Sequence, residues 1–242
     1  MSEMVNVPAD AAREAPTFSQ GVRDCLPTLL GYVGIAFAAG IVGSATHLSV
    51  LENALLAAWI YAGASQFIIC AMLAAGSPYS AIIFTTFIVN SRHFLLCSTL
   101  APSFVKYGLL KNIGMGVLVT DETFAVAIGK IIKKQGISAR WMYGLNLSAY
   151  VVWIVSCTAG ALLGKWVPSP DSLGLDFALT AMFCALLVLH LDGIKRSRLV
   201  HQLFLVFCTV FLMAVLSFFM SSYLAVLTST LIGATIGVLT EK

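Results

Sequence analysis

Charge is what this sequence has least of. Only 10% of its 242 residues are Asp, Glu, Lys or Arg, against about 25% in an ordinary soluble domain. Together with 59% hydrophobic residues and a mean hydropathy of +0.93, that scarcity excludes a water-solvated fold and points to a chain solvated by lipid. The net charge of +3 is spread over connecting segments and offers no basic surface for nucleic acid. The cysteines Cys25, Cys70, Cys97, Cys157, Cys184 and Cys208 form no CxxC pair and read as small packing residues. HExxH, GxSxG, GKS/T and Cys/His metal spacings are missing, and His47, His190 and His201 stand apart near helix ends. An enzyme, a metal site and a bound cofactor are therefore not expected. Residues 1–20 lack the basic and apolar blocks of a cleaved signal and read as a flexible cytoplasmic tail, leaving 21–242 as a single transmembrane domain.

What is abundant is long apolar runs. At roughly 20 residues per crossing, they divide into about eight helices, near 26–46, 52–75, 79–101, 112–132, 141–164, 173–191, 199–220 and 222–240. Gly76, Ser77 and Pro78 mark the turn between the second and third. The last two share a tight hairpin at Ser221 and Ser222, so seven spans plus a re-entrant segment is the alternative. The expected fold is an all-α, polytopic transmembrane bundle. With the N-terminus inside, Arg13, Arg23, Lys130, Lys133, Lys134, Arg140, Lys195, Arg196, Arg198 and Lys242 fall on the cytoplasmic side, against Lys106, Lys111 and Lys165 outside. That bias predicts cytoplasmic N- and C-termini. Ala39, Gly40 and Gly43 close the first helix much as Ala159, Gly160 and Gly164 close the fifth, the trace of an internal repeat such as transporters often contain. Gly40, Gly160 and the GxxxG pair Gly233 and Gly237 are expected to pack helices closely.

The informative residues are the polar ones a membrane should reject. In the fourth segment, Asp121 and Glu122 would cost about 6 kcal/mol at a helix centre, while its large apolar residues return only about 3. Either neighbouring helices hold those acids around a wet cavity, or they begin an interfacial helix with Thr120 as its cap. A carboxylate there can bind an ammonium group or carry a proton. In the third helix, Asn90 and His93 share a face and Arg92 points elsewhere. Arg92 can pair with Asp121 or Glu122, hold a substrate carboxylate, or snorkel to the headgroups. His93 can relay protons or simply pack. In the second helix, Gly63, Ser65 and Gln66 interrupt an apolar run, which fits either a locally opened backbone at midplane or close helix packing. Asp176 begins the sixth helix, where a carboxylate suits the dipole without any further role.

At these positions the sequence resembles the AzlC family, the large subunit of bacterial branched-chain amino acid exporters. The motifs are GASQF at 63–67, NSRHFLL at 90–96, TDETFA at 120–125 and LGLDFAL at 173–179, in the family's order and over roughly residues 18–240. The family pattern carries an aromatic residue where this chain has Leu96. The resemblance implies a multi-pass protein of the bacterial inner membrane that exports leucine, isoleucine and valine, in some members also methionine. It further implies a complex with a separate small membrane subunit of the AzlD type. It assigns no residue roles. The expected mechanism is a proton-driven exporter using Asp121, Glu122, Arg92 and His93. The alternatives are a permease subunit of an ATP-driven transporter, needing a coupling helix in the loop 130–141, and a non-transporting membrane scaffold or assembly partner using Gly233 and Gly237 as its contact; a homo-oligomer is a further expected partner.

Overall fold

A computed structural model describes residues 15–133, 135–164, 166, 196–220 and 222–240, with isolated positions at 177, 184, 187, 188 and 191. The described residues are helical without strands. They are α1 (Phe18–Ala45), α2 (Val50–Trp59), α3 (Gly63–Ala74), α4 (Tyr79–Leu100), a 3-10 turn (Ala101–Phe104), α5 (Leu109–Gly116), α6 (Asp121–Ile132), α7 (Ala139–Gly164), α8 (Arg196–Leu216) and α9 (Ser222–Thr240). The sixth expected span, 173–191, with Asp176 and the LGLDFAL motif, lies outside the described residues. Two compact units result, Met1–Leu179 and Thr180–Lys242.

The first unit is built on α1 and α7. Thr17 starts α1 with a capping box, its side chain accepting from the Gln20 N–H while Gln20 Oε1 accepts from the Thr17 N–H. The helix therefore begins at Phe18, inside the segment read as tail and well before residue 26, and runs through Pro27. α1 lies parallel to α7 in a contact that works through missing side chains. A Cβ on Gly21 would overlap the carbonyl of Trp141, and one on Gly40 the carbonyl of Cys157. Reciprocally, a Cβ on Gly144 would overlap the carbonyl of Phe18, and one on Gly160 that of Phe37. The two glycines that suggested a repeat thus face each other in a pairing with local two-fold character. Between them lie buried rings, with the Tyr32 and Trp153 centroids 4.6 Å apart.

Parallel packing requires an odd number of membrane crossings between α1 and α7. α4 is that crossing: with its 3-10 extension, Tyr79–Phe104, it is long and apolar enough to span, and it delivers the chain to the N-terminal end of α7, where the Ala139 N–H donates to the Tyr107 hydroxyl. The outer face of α4 bears Ile83, Phe87 and Phe94, each at least 70% exposed, a surface suited to lipid and unsuited to water. The segments expected as the second and fourth crossings are interrupted helices that turn back halfway, which corrects two expectations. The segment 52–75 is broken at 60–62 into α2 and α3, and 112–132 is broken at 117–120 into α5 and α6. At 1.5 Å per residue the four pieces are about 15, 18, 12 and 18 Å long, each too short for a hydrocarbon core of about 30 Å. Each pair returns to the side it entered from. α2 leads from Asn53 beside Gly43 to Tyr61 beside Tyr32, and α3 climbs back to Gln66 beside Cys157; α5 starts beside Tyr143, and α6 returns to Asp24 and Trp141.

Local chemistry explains the breaks. Ile60 and Ala62 leave helical geometry (φ −105°, ψ 42° and φ −155°, ψ 104°) just before Gly63, whose missing side chain weakens helix propagation by about 1 kcal/mol. At the second break Thr120 is extended and caps α6, its hydroxyl accepting from the Thr123 N–H. Asp121 and Glu122 then occupy the first turn of α6, where the helix dipole favours negative charge. The expected α3–α4 turn is present, with Gly76 at φ +64°.

The second unit is a helical hairpin. Gly233 packs on Thr209 and Gly237 on Leu205, so the GxxxG face of α9 is covered by α8 of the same chain, and Thr240 Oγ1 meets His201 Nε2 at 3.3 Å.

Candidate functional site

The two helix breaks face one another across a cavity of about 670 Å³. Its walls are the broken backbones at 58–62 and 116–119, with Asn90 and His93 from α4 and Tyr150 from α7. That volume lies within the range of about 300–1,000 Å³ typical of small-molecule sites. Apolar residues dominate the side chains, while the interrupted helix ends contribute peptide groups that no longer bond within a helix.

Each polar group around the cavity is held by its neighbours. Ser65 Oγ, fully buried on the first turn of α3, donates to Asn90 Oδ1 at 2.7 Å. His93 Nδ1 lies 3.2 Å from the Asn90 carbonyl; a carbonyl only accepts, so Nδ1 carries the proton and Nε2 remains to meet a ligand. Tyr61, in the first break, bonds Tyr32 hydroxyl to hydroxyl at 3.1 Å and sets its ring edge-on to Tyr150 at 4.9 Å. α3 begins without a side-chain cap, whereas α6 is capped by Thr120 and carries two acids. The two breaks therefore present opposite electrostatic characters, a bare positive helix end in one and carboxylates in the other.

Arg92 and Asp121 form an ion pair, Nη2 to Oδ2 at 2.8 Å, with side chains 28% and 19% exposed. It ties the middle of α4 to the start of α6 just beyond the cavity wall, and it displaces the snorkelling alternative for Arg92. Glu122 follows Asp121 on that turn, half-buried. At the other end of α6, Lys130 Nζ meets Asp24 Oδ2 at 2.6 Å, Trp141 Nε1 donates to the same oxygen at 2.8 Å, and Lys130 lies 4.8 Å from the Trp141 ring centre. α6 is thus held by ion pairs at both ends, and Lys130 is more than the loop charge it resembles in sequence.

Of the candidates read from sequence, Asn90 and His93 line the cavity, Ser65 stands one bond behind, and Gly63 follows Ala62 at its edge. Gln66 turns instead toward α7, where the Cys157 thiol donates to its Oε1 at 3.7 Å; its Nε2 has no partner although the residue is 3% exposed. Sequence reasoning missed the contribution of α7. Asn146 Nδ2 donates to the Met115 carbonyl at 2.9 Å, in the last turn of α5, and the Tyr150 hydroxyl donates to the Ala58 carbonyl at 3.0 Å, in the last turn of α2. Their signal was present as Asn146, Tyr150, Trp153 and Cys157 at helical spacing on one face. A second, apolar cavity of about 390 Å³ borders Cys97, Phe104 and Met142 and shares Gly116, Val117 and Val119 with the first, so the second break is a partition between two spaces. The connection from α6 to α7 contains no helix among its described residues, and no cluster of metal-ligating side chains occurs among the described residues.

No solved structure matches the chain. Among curated proteins, the inner membrane protein YgaZ of Escherichia coli is 33% identical over 178 residues, 71% of this chain and 72% of the relative. An uncharacterized membrane protein of Archaeoglobus fulgidus is 28% identical over 179 residues, 73% of this chain and 77% of the relative. The branched-chain amino acid transport protein AzlC of Bacillus subtilis is 23% identical over 164 residues, 67% of this chain and 63% of the relative. Residues 27–167, which hold both interrupted helices, α4, α7 and most of α1, match the AzlC protein family, and the chain is a membrane protein belonging to it.

Proposed function

We propose that this chain exports branched-chain amino acids, with methionine as a further substrate, as the large subunit of a two-component, proton-coupled exporter in the bacterial inner membrane. The observation that carries this reading is the meeting of two interrupted helices across one cavity, with Asn90 and His93 between them. An amino acid is a zwitterion with an apolar tail. The uncapped start of α3 suits its carboxylate, the acid-bearing start of α6 suits its ammonium, and the apolar walls suit a branched aliphatic side chain. His93 and the acids Asp121 and Glu122 are the groups able to exchange a proton, and the contact of Arg92 with Asp121 is the one for which a proton or a solute carboxylate would compete. The second subunit is a small membrane protein of the AzlD type, and both termini of the chain face the cytoplasm.

Leucine efflux from loaded proteoliposomes, with and without an imposed pH gradient, tests this. Efflux should accelerate when protons can flow inward, and Asp121→Asn should abolish that acceleration. Efflux indifferent to both the gradient and the substitution would remove proton coupling from the reading; efflux that requires an added ATPase would replace it.

A further inference from the structure

Taking the cavity as the solute's site, as proposed above, we infer that Asn146 and Tyr150 of α7 are positioning residues that set the width of the cavity by holding the ends of both interrupted helices. A broken helix leaves its last carbonyls without intrahelical donors, and in a lipid-solvated protein those groups need a partner from elsewhere in the fold. One face of α7 supplies the donors for both breaks: Asn146 to Met115 of α5 and, one turn later, Tyr150 to Ala58 of α2. The donors are rigidly mounted, because α7 is locked against α1 at Gly21, Gly40, Gly144 and Gly160, where no side chain could be added without moving backbone. Asn146 is fully buried and its Oδ1 has no partner, so the amide is kept for its donating half. Tyr150 also forms part of the cavity wall, and its hydroxyl bond to Ala58 fixes the ring against which Tyr61 stands edge-on. The walls of the empty site are thereby spaced before any solute arrives, and a solute need not use its binding energy to order them.

Tyr143 provides the control. Its hydroxyl likewise joins α7 to α5, donating to the Lys111 carbonyl at 3.1 Å, but one turn short of the break and outside the cavity. A merely structural role for α7 hydrogen bonds predicts equal effects from all three residues; positioning predicts effects from two. The experiment uses the full chain in inside-out membrane vesicles, measuring KM and maximal rate for leucine uptake, with backbone hydrogen exchange on the purified full chain. Tyr150→Phe is expected to raise KM about 2- to 10-fold, the worth of one net hydrogen bond, with the maximal rate within about two-fold and faster exchange confined to the break at 59–62. Asn146→Ala should do the same through the break at 116–119, and Tyr143→Phe should leave KM unchanged. Should Asn146→Ala fail to accumulate, Tyr150→Phe, which removes a single oxygen, decides alone. Unchanged KM and exchange in Tyr150→Phe, or an equal rise in KM from Tyr143→Phe, would overturn the assignment. If vesicles with the unaltered chain take up no leucine, the transport reading fails separately, and the exchange pattern still decides whether α7 holds the breaks.

Discussion

Neutralising one partner of the Arg92–Asp121 pair gives the sharpest test of how this membrane protein tolerates charge inside its bundle. At 2.8 Å and an effective dielectric of about 20, the bare attraction is about 6 kcal/mol. Desolvation opposes it, and side chains 28% and 19% exposed place the pair between a surface bridge, worth at most about 1 kcal/mol, and a buried one, whose disruption costs about 3–5. A coupling of about 2 kcal/mol is the expected outcome. Asp121→Asn carries a further loss of about 0.3–1 kcal/mol, because the first turn of α6 gives up a negative charge at its positive end. For a chain of this length each kcal/mol moves the thermal midpoint by about 2–4 °C, so either Arg92→Gln or Asp121→Asn should lower it by about 4–8 °C in detergent micelles, followed through the buried Trp141 and Trp153. The double variant should recover most of that loss, since no unpaired charge is left behind. Strict additivity of the two single effects in the double-mutant cycle would refute the reasoning, for it would mean the two charges are solvated independently.

Other outcomes follow from named contacts. Gly40→Ala and Gly160→Ala should sharply reduce accumulation of folded protein, because each new methyl meets a backbone carbonyl of the partner helix. Gly31→Ala and Gly34→Ala on the same α1 meet nothing within 4 Å and should raise the thermal midpoint slightly, each relieving up to about 1 kcal/mol of helix-propensity cost. Thr120→Ala should cost about 0.5–2 kcal/mol by uncapping α6, seen as faster hydrogen exchange confined to the first turn of that helix. Gln66→Met should hold or raise the thermal midpoint, because a buried amide nitrogen without a partner costs about 1–3 kcal/mol; a clear loss would show that Nε2 finds a partner in the folded protein.

The sequence by itself determined the solvent of this protein and much of its architecture. Apolar runs of spanning length, with charge confined to their ends, follow from the cost of placing ionised groups in hydrocarbon, and that cost is a property of each residue alone. For the same reason it singled out Asn90 and His93, which line the cavity, Arg92 and Asp121, which form the ion pair beside it, and Glu122, which follows Asp121 on the same turn. It also marked Gly63 as a weak point, and the backbone opens just before it. Hydropathy could not reveal that two of the expected spans are interrupted and turn back halfway, because 60–62 and 117–119 are as apolar as true helix; only packing against α7 makes it favourable to leave the carbonyls of Ala58 and Met115 outside a helical ladder. Nor could it show that Gly40 and Gly160 meet, that Lys130 reaches across to Asp24, or that Arg92 chooses Asp121. Those are choices of partner between residues far apart in the chain, and they are settled by which helices can approach closely enough for a hydrogen bond or an ion pair to outweigh the water lost.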